Sequence, residues 1–143
     1  MLQYKKGRLY CQGVSFEIPE NFYLETNGEM MFENGMVFIS PDEKIWVEFA
    51  IFKSDMSSEE GLQSLINESD SFVVIDTVTP VTINGLSGHY CYYKTTRENF
   101  LTVQLNISEN FVFGYTIRSI ERNVKDVMEE PVFNRSLMQI KKD

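Results

Sequence analysis

A chain of 143 residues with 43% hydrophobic and 24% charged residues has the size and composition of one globular domain with one core, large enough to fold without disulfides or metals. Its net charge of −8 lies in the first half, residues 71–143 being balanced, and an acidic surface repels the phosphate backbone that Lys and Arg must neutralise in nucleic-acid binding. Nucleic acid is therefore excluded as an expected partner, and the acidity serves either solubility or the attraction of a basic partner.

The N-terminal residues Met1 to Arg8 carry charge with no apolar stretch behind them, which does not fit a signal peptide, and no run approaches the ~18 apolar residues of a membrane span. As written, the chain reads as cytoplasmic. From Arg8 to Pro19 the alternation of Val14, Phe16 and Ile18 with Ser15 and Glu17 predicts a half-buried strand that Pro19 ends. Met30–Phe32 and Met36–Ile39 flank Glu33-Asn34-Gly35, where Asn-Gly predicts a tight hairpin. Ile45 to Phe52 places Ile45, Val47, Phe49 and Ile51 on one side and Trp46, Glu48, Ala50 and Phe52 on the other, the pattern of a strand covered on both faces.

The period changes at Ser57-Ser58-Glu59-Glu60, a Ser-x-x-Glu capping box followed by Leu62, Leu65 and Ile66 at helical spacing, which predicts a short middle helix ending near Asn67–Asp70. Four strands follow as a meander: Val73–Ile83 with a break at Pro80, His89–Thr95, Phe100–Ile107 and Phe111–Ile117, turned at Asn84-Gly85 and in short polar loops. Leu101, Val103, Leu105 and Ile107 share one face, as do Phe111, Phe113, Tyr115 and Ile117, and these two rows are the strongest core signal. Asn123 caps a C-terminal helix bearing Val124, Val127 and Met128; Pro131 kinks or restarts it before Val132, Phe133 and Leu137, and Lys141 to Asp143 form a polar tail. The whole of 1–143 reads as a single α+β domain with an antiparallel sheet, N-terminal hairpins, one middle helix and one C-terminal helix.

No catalytic, cofactor or metal constellation is present. His89 is the only histidine, so His-based metal clusters are excluded; a base needs a nucleophile and an orienting partner, and a lone histidine at a strand start reads as a surface or hydrogen-bonded residue. Gly85-Leu86-Ser87-Gly88 is a turn between strands, not a glycine loop feeding a helix. The acidic pairs Asp42-Glu43, Glu59-Glu60 and Glu129-Glu130 suit a loop and helix ends; a carboxylate enzyme needs two of them facing across a cleft. Cys11 and Cys91 match no metal or redox spacing and read as small buried hydrophobes; a disulfide between them requires neighbouring strands, and a chain of this size does not depend on one.

The order of elements resembles the fold shared by PsbP and the Ran-binding Mog proteins. The likeness is carried by Gly13 to Pro19 with Phe22, the Ser57–Ile66 helix after Phe52, the turn Asn84-Gly85-Leu86-Ser87-Gly88 and the helix ending near Phe133 and Leu137, and it spans nearly the whole chain. The resemblance implies an α/β/α sandwich whose antiparallel sheet lies between helical layers. Such families, bacterial relatives among them, mostly bind: PsbP a photosystem, Mog a small GTPase. None of their functional residues maps onto this sequence.

The candidate surface is therefore read from the residues. Trp46, Phe52, Tyr90, Tyr92 and Phe100 sit opposite the expected core and would form an aromatic strip, with Met30, Met31 and Met36 nearby; they either meet a partner or lie beneath a second helical layer. The expectation is a non-enzymatic domain that binds a protein partner or a second copy of itself. The alternatives are carriage of a small apolar ligand or lipid between sheet and helix and, more remotely, a carboxylate enzyme.

Overall fold

A computed structural model describes residues 3–11, 13–19, 21–24, 35–68, 70–120, 126 and 141–142. The strands are β1 (Gln3–Lys5), β2 (Arg8–Cys11), β3 (Val14–Glu17), β4 (Tyr23–Leu24), β5 (Gly35–Ile39), β6 (Ile45–Lys53), β7 (Val73–Ile83), β8 (Leu86–Lys94), β9 (Glu98–Ser108), β10 (Phe111–Ile120) and β11 (Lys141–Lys142), with helix α1 (Ser58–Asn67) between β6 and β7. They form a seven-stranded antiparallel sheet in the order β4-β5-β6-β10-β9-β8-β7 and a four-stranded one in the order β1-β2-β3-β11. The class is α+β, as the sequence predicts.

Alternation in the sequence becomes a sorted sheet because directly opposed residues of an antiparallel pair point to the same face. Val47, Phe49 and Ile51 on β6 stand opposite Ile117, Tyr115 and Phe113 on β10, which in turn face Leu101, Val103 and Leu105 on β9. These side chains form the principal core, with Phe49 against Phe113 and Tyr115 at centroid distances of 6.2 Å. Full burial of each is worth about 1.5–3 kcal/mol. Burial also pushes the Tyr115 hydroxyl's pKa well up.

The meander from β7 to β10 is closed where the sequence signals turns. Asn84 (φ 48°) and Gly85 (φ 85°) both adopt positive φ between the paired Ile83 and Leu86, a two-residue primed turn. Gly88 lies beyond that turn, within β8, and is glycine for another reason: a Cβ there would run into the backbone carbonyl of Gln104 on β9. Hence β8 starts at Leu86, and His89 lies inside a strand between Pro80 and Gln104, not at a strand end.

Two differences concern the first segment and the tail. Arg8 to Pro19 is not one strand: Gly13, at φ 80°, turns the chain between β2 and β3, and Lys6-Gly7 makes a similar turn before β2. The resulting small sheet stands apart from the seven-stranded one in hydrogen bonding, yet Leu9, Val14 and Ile18 are buried in the principal core. Lys141 and Lys142 are not a free tail; their backbone pairs with Ser15 and Val14 of β3. The Asn34-Gly35 hairpin and the C-terminal helix with its Asn123 cap lie outside the described residues, apart from Gly35, which begins β5, and Asp126. The helical layer expected on the core face therefore lies outside them too, and the described elements on that face belong to the small sheet.

Helix α1 starts as its sequence dictates. Ser57, extended at φ −64° and ψ 161°, accepts a hydrogen bond from the Glu60 amide, and its hydroxyl meets Glu60 Oε1 at 3.2 Å. Its buried residues Ser58, Leu62 and Ile66 turn to β7, β8 and β9 on the face opposite the principal core. There Ile66 packs with Cys91 and Tyr93, flanked by Leu65, Phe72, Val78 and Phe100. Among the described residues no helix is long and apolar enough to cross a membrane.

Candidate functional site

Helix α1 rests on the β7–β9 half of its face, and beside it the sheet forms a cleft. Alternation on three adjacent strands places Glu48 and Ala50 of β6, Gly114 and Thr116 of β10, and Phe100, Thr102 and Gln104 of β9 on its floor, with Leu65 of α1 and Tyr93 of β8 at the wall, around a volume of about 330 Å³. A smaller recess of about 90 Å³ continues from it over Glu48, Phe100 and Thr116 to Val37, Trp46 and Arg118.

Each polar group here has a distinct environment. The Arg118 guanidinium lies 3.7 Å from the centre of the Trp46 ring, a cation–π stack, and its Nε is 3.2 Å from Glu98 Oε2. Among the described residues that Nε makes no properly angled hydrogen bond, so its pairing with Glu98 is held by charge rather than by a directed bond. Trp46 is fixed from its other end, its indole N–H donating to the Glu43 carbonyl at 3.1 Å. The preceding loop is tied in turn: Ser40 Oγ donates to Asp42 Oδ1 at 2.6 Å and the Lys44 amide to the same oxygen at 3.1 Å. These two bonds hold the Asp42 carboxyl below its usual pKa.

Among the described residues Glu48 has no comparable partner. Its carboxylate is half-buried on the cleft floor, and among the described residues no hydrogen bond or close ion pair holds it. Burial raises its pKa, and the charge of Arg118 only partly opposes this. Deeper in the cleft, Tyr93 OH, Thr102 Oγ1 and Thr116 Oγ1 form a run of hydroxyls at 2.8 and 2.9 Å. Burial pushes the Tyr93 phenol up to about 12, so it serves as a neutral hydrogen-bonding group. Phe100 stacks on Tyr93 with centroids 5.0 Å apart and planes within 6°.

The five residues of the expected aromatic strip do not come together. Trp46 and Phe100 both line the smaller recess. Tyr90 and Tyr92 lie on the opposite face, paired with Val103 and Leu101 and packed against the principal core, because β8 points Cys91 and Tyr93 toward α1. The side chain of Phe52 lies outside the described residues, as do Met30 and Met31, while Met36 packs against the principal core. Sequence reasoning left Glu48 and Arg118 out of the site. Their signal was a polar residue alternating with core residues on each of two strands.

A second cluster joins α1 to β8. Ser58 Oγ is 2.6 Å from His89 Nδ1, and His89 Nε2 is 4.0 Å from Glu59 Oε2. The order Ser-His-Glu resembles a nucleophilic triad, but Ser58 is only 1% exposed. A hydroxyl so enclosed does not reach a substrate; it ties the helix start to the sheet. His89 is thus hydrogen-bonded to the start of α1. Cys91 is a free, buried thiol on the α1 face, its pKa pushed up to about 11 chiefly by burial, and its strand is in a different sheet from that of Cys11. Among the described residues no group of three or more His, Cys, Asp or Glu side chains is arranged to hold a metal.

No family model matches the sequence, and no curated protein matches it. Solved structures do match. LpqN of Mycobacterium tuberculosis, described as involved in cell envelope biogenesis, superposes with a TM-score of 0.61 at 12% identity, over 90% of this chain and 82% of LpqN. A protein from Bacteroides thetaiotaomicron superposes with a TM-score of 0.53 at 12% identity, over 92% of this chain but 45% of its own. Neither bears the PsbP or Mog name. At such identities the likeness is one of fold, and the fold is that of these bacterial α+β proteins.

Proposed function

We propose that this domain is a non-enzymatic binding module that engages a protein partner through the cleft beside α1. The observation that carries the reading is the convergence of Trp46, Phe100 and Arg118 on one recess. Trp, Tyr and Arg dominate the energetics of protein interfaces because they bury large areas and keep a polar end to satisfy. The assignment to a PsbP/Mog-like group belongs with this proposal, as do a cytoplasmic site of action and the absence of nucleic acid among the partners; the chain's acid excess supports the last.

The test is retention of proteins from a native lysate of the source cells by the immobilised chain, compared with Trp46→Ala, Phe100→Ala and a control at the exposed loop residue Arg97. Loss of the same bands from both cleft variants, with Arg97→Ala unaffected, is expected. Equal retention by all three would refute the reading.

A second reading is a small amphipathic ligand in the same cleft, favoured by a volume of about 330 Å³, at the lower end of the usual range for ligand sites. Native mass spectrometry that finds a bound mass lost in Phe100→Ala would support this reading over the first.

A further inference from the structure

Glu48 is a carboxylate that folding has partly removed from water without giving it a hydrogen bond among the described residues. Such a group is costly unless something completes it. Arg118 does not: its charge is engaged by Glu98 at 3.2 Å, and its guanidinium is stacked on Trp46. Among the described residues that line the larger cleft, Glu48 alone is charged, on a chain whose net charge is −8. The cleft walls are apolar and aromatic, with Leu65 beside the stacked rings of Phe100 and Tyr93.

From this combination we infer that the cleft accepts a cationic side chain of the partner, a Lys or Arg whose methylene stem lies along Phe100 and Leu65 and whose charged head reaches Glu48. Long basic side chains suit such a site, since the stem buries on apolar surface while the head seeks a carboxylate or a ring face. An anionic guest meets the Glu48 carboxylate, with Arg118 already engaged by Glu98. A neutral guest adds nothing to the partial counter-charge that Arg118 gives Glu48. The inference rests on the proposal that the cleft is the binding site.

The test uses the whole chain labelled with nitrogen-15 and three small probes at equal concentration and ionic strength: n-butylammonium, n-butanol and n-butyrate. Amide shifts of residues 46–50, 100–104 and 114–118 are followed, together with emission from Trp46, the only tryptophan in the chain. The expected result is saturable shifts with n-butylammonium at an affinity about fivefold above that of n-butanol, the scale of one partly screened charge contact. Glu48→Gln should abolish that difference while leaving the n-butanol response in place. Butanol or butyrate binding as well as the cation, or a preference that survives in Glu48→Gln, overturns the cationic assignment and leaves the cleft as a binding site. Absence of cleft shifts with all three probes overturns both. The comparison of probes on the unaltered chain stands whether or not the variant folds.

Discussion

Glu48 occupies a strand whose opposite face carries Ile45, Val47, Phe49 and Ile51, and its half-buried carboxyl has a pKa raised first by desolvation. The consequence for stability has a definite sign. An acid whose native pKa lies above its unfolded value keeps its proton longer in the folded state, so stability is lost as pH rises from the unfolded value of about 4.3 through the raised native one. Glu48→Gln removes that loss. Its thermal midpoint should exceed that of the parent at pH 7, and the advantage should disappear below about pH 4, where both side chains are neutral. Thermal melts across this range check it. Ser58→Ala should act oppositely, costing about 1–3 kcal/mol in urea unfolding because it deprives a buried contact of its hydrogen bond to His89. At this scale the sequence disclosed Trp46 and Phe100 through strand alternation. It misled at Tyr90 and Tyr92 because Tyr90-Cys91-Tyr92-Tyr93 is apolar throughout, and a period of two cannot choose between faces when both are greasy. The register that decides it comes from the loop pairing Lys94 with Asn99, which sets Tyr92 opposite Leu101.

Among the elements, α1 was the most legible, because its start is written in local chemistry: the Ser57 cap and Glu60 three residues on. Ser57→Ala should cost about 1 kcal/mol, read from denaturant midpoints, and loosen the Leu65 wall of the cleft. The Asn84-Gly85 turn was equally plain, for both residues tolerate the positive φ they adopt. Gly88 was read as part of that turn, whereas its role is the close approach of β8 to β9. Gly88→Ala should therefore destabilise by about 3 kcal/mol or more, since backbone cannot move aside as a side chain can. Gly61→Ala on α1 offers a contrast: its Cβ would meet the Gln104 side-chain oxygen at 2.6 Å, a group able to rotate away, so unfolding should show a much smaller loss. The hairpin from β1 to β2 went unread because Lys6 is an uncommon residue at φ 51°, and Gly7 alone did not declare the turn.

The whole molecule places its two kinds of surface apart. On one face of the seven-stranded sheet the aromatic core is closed by Leu9 and Val14 of the small sheet and by Ile18 just after β3; on the other, α1 and the cleft lie side by side. The division into two sheets could not be read from alternation, which reports faces but not which strands exchange hydrogen bonds; the pairing of Lys141-Lys142 with β3, between residues far apart in sequence, carries no local signal. The sheet edge at β7 is a competing surface, since Val73, Val74 and Ile75 are exposed there, yet register shifts at Asp76 and Thr79 and the proline at position 80 interrupt it, the features by which edges resist strand addition. The most direct test of the cleft as the binding site is amide hydrogen exchange of the chain alone and bound to a protein that it retains from lysate. Protection gained at residues 45–50, 98–104 and 114–118 is expected; protection confined to residues 73–79 would contradict the account.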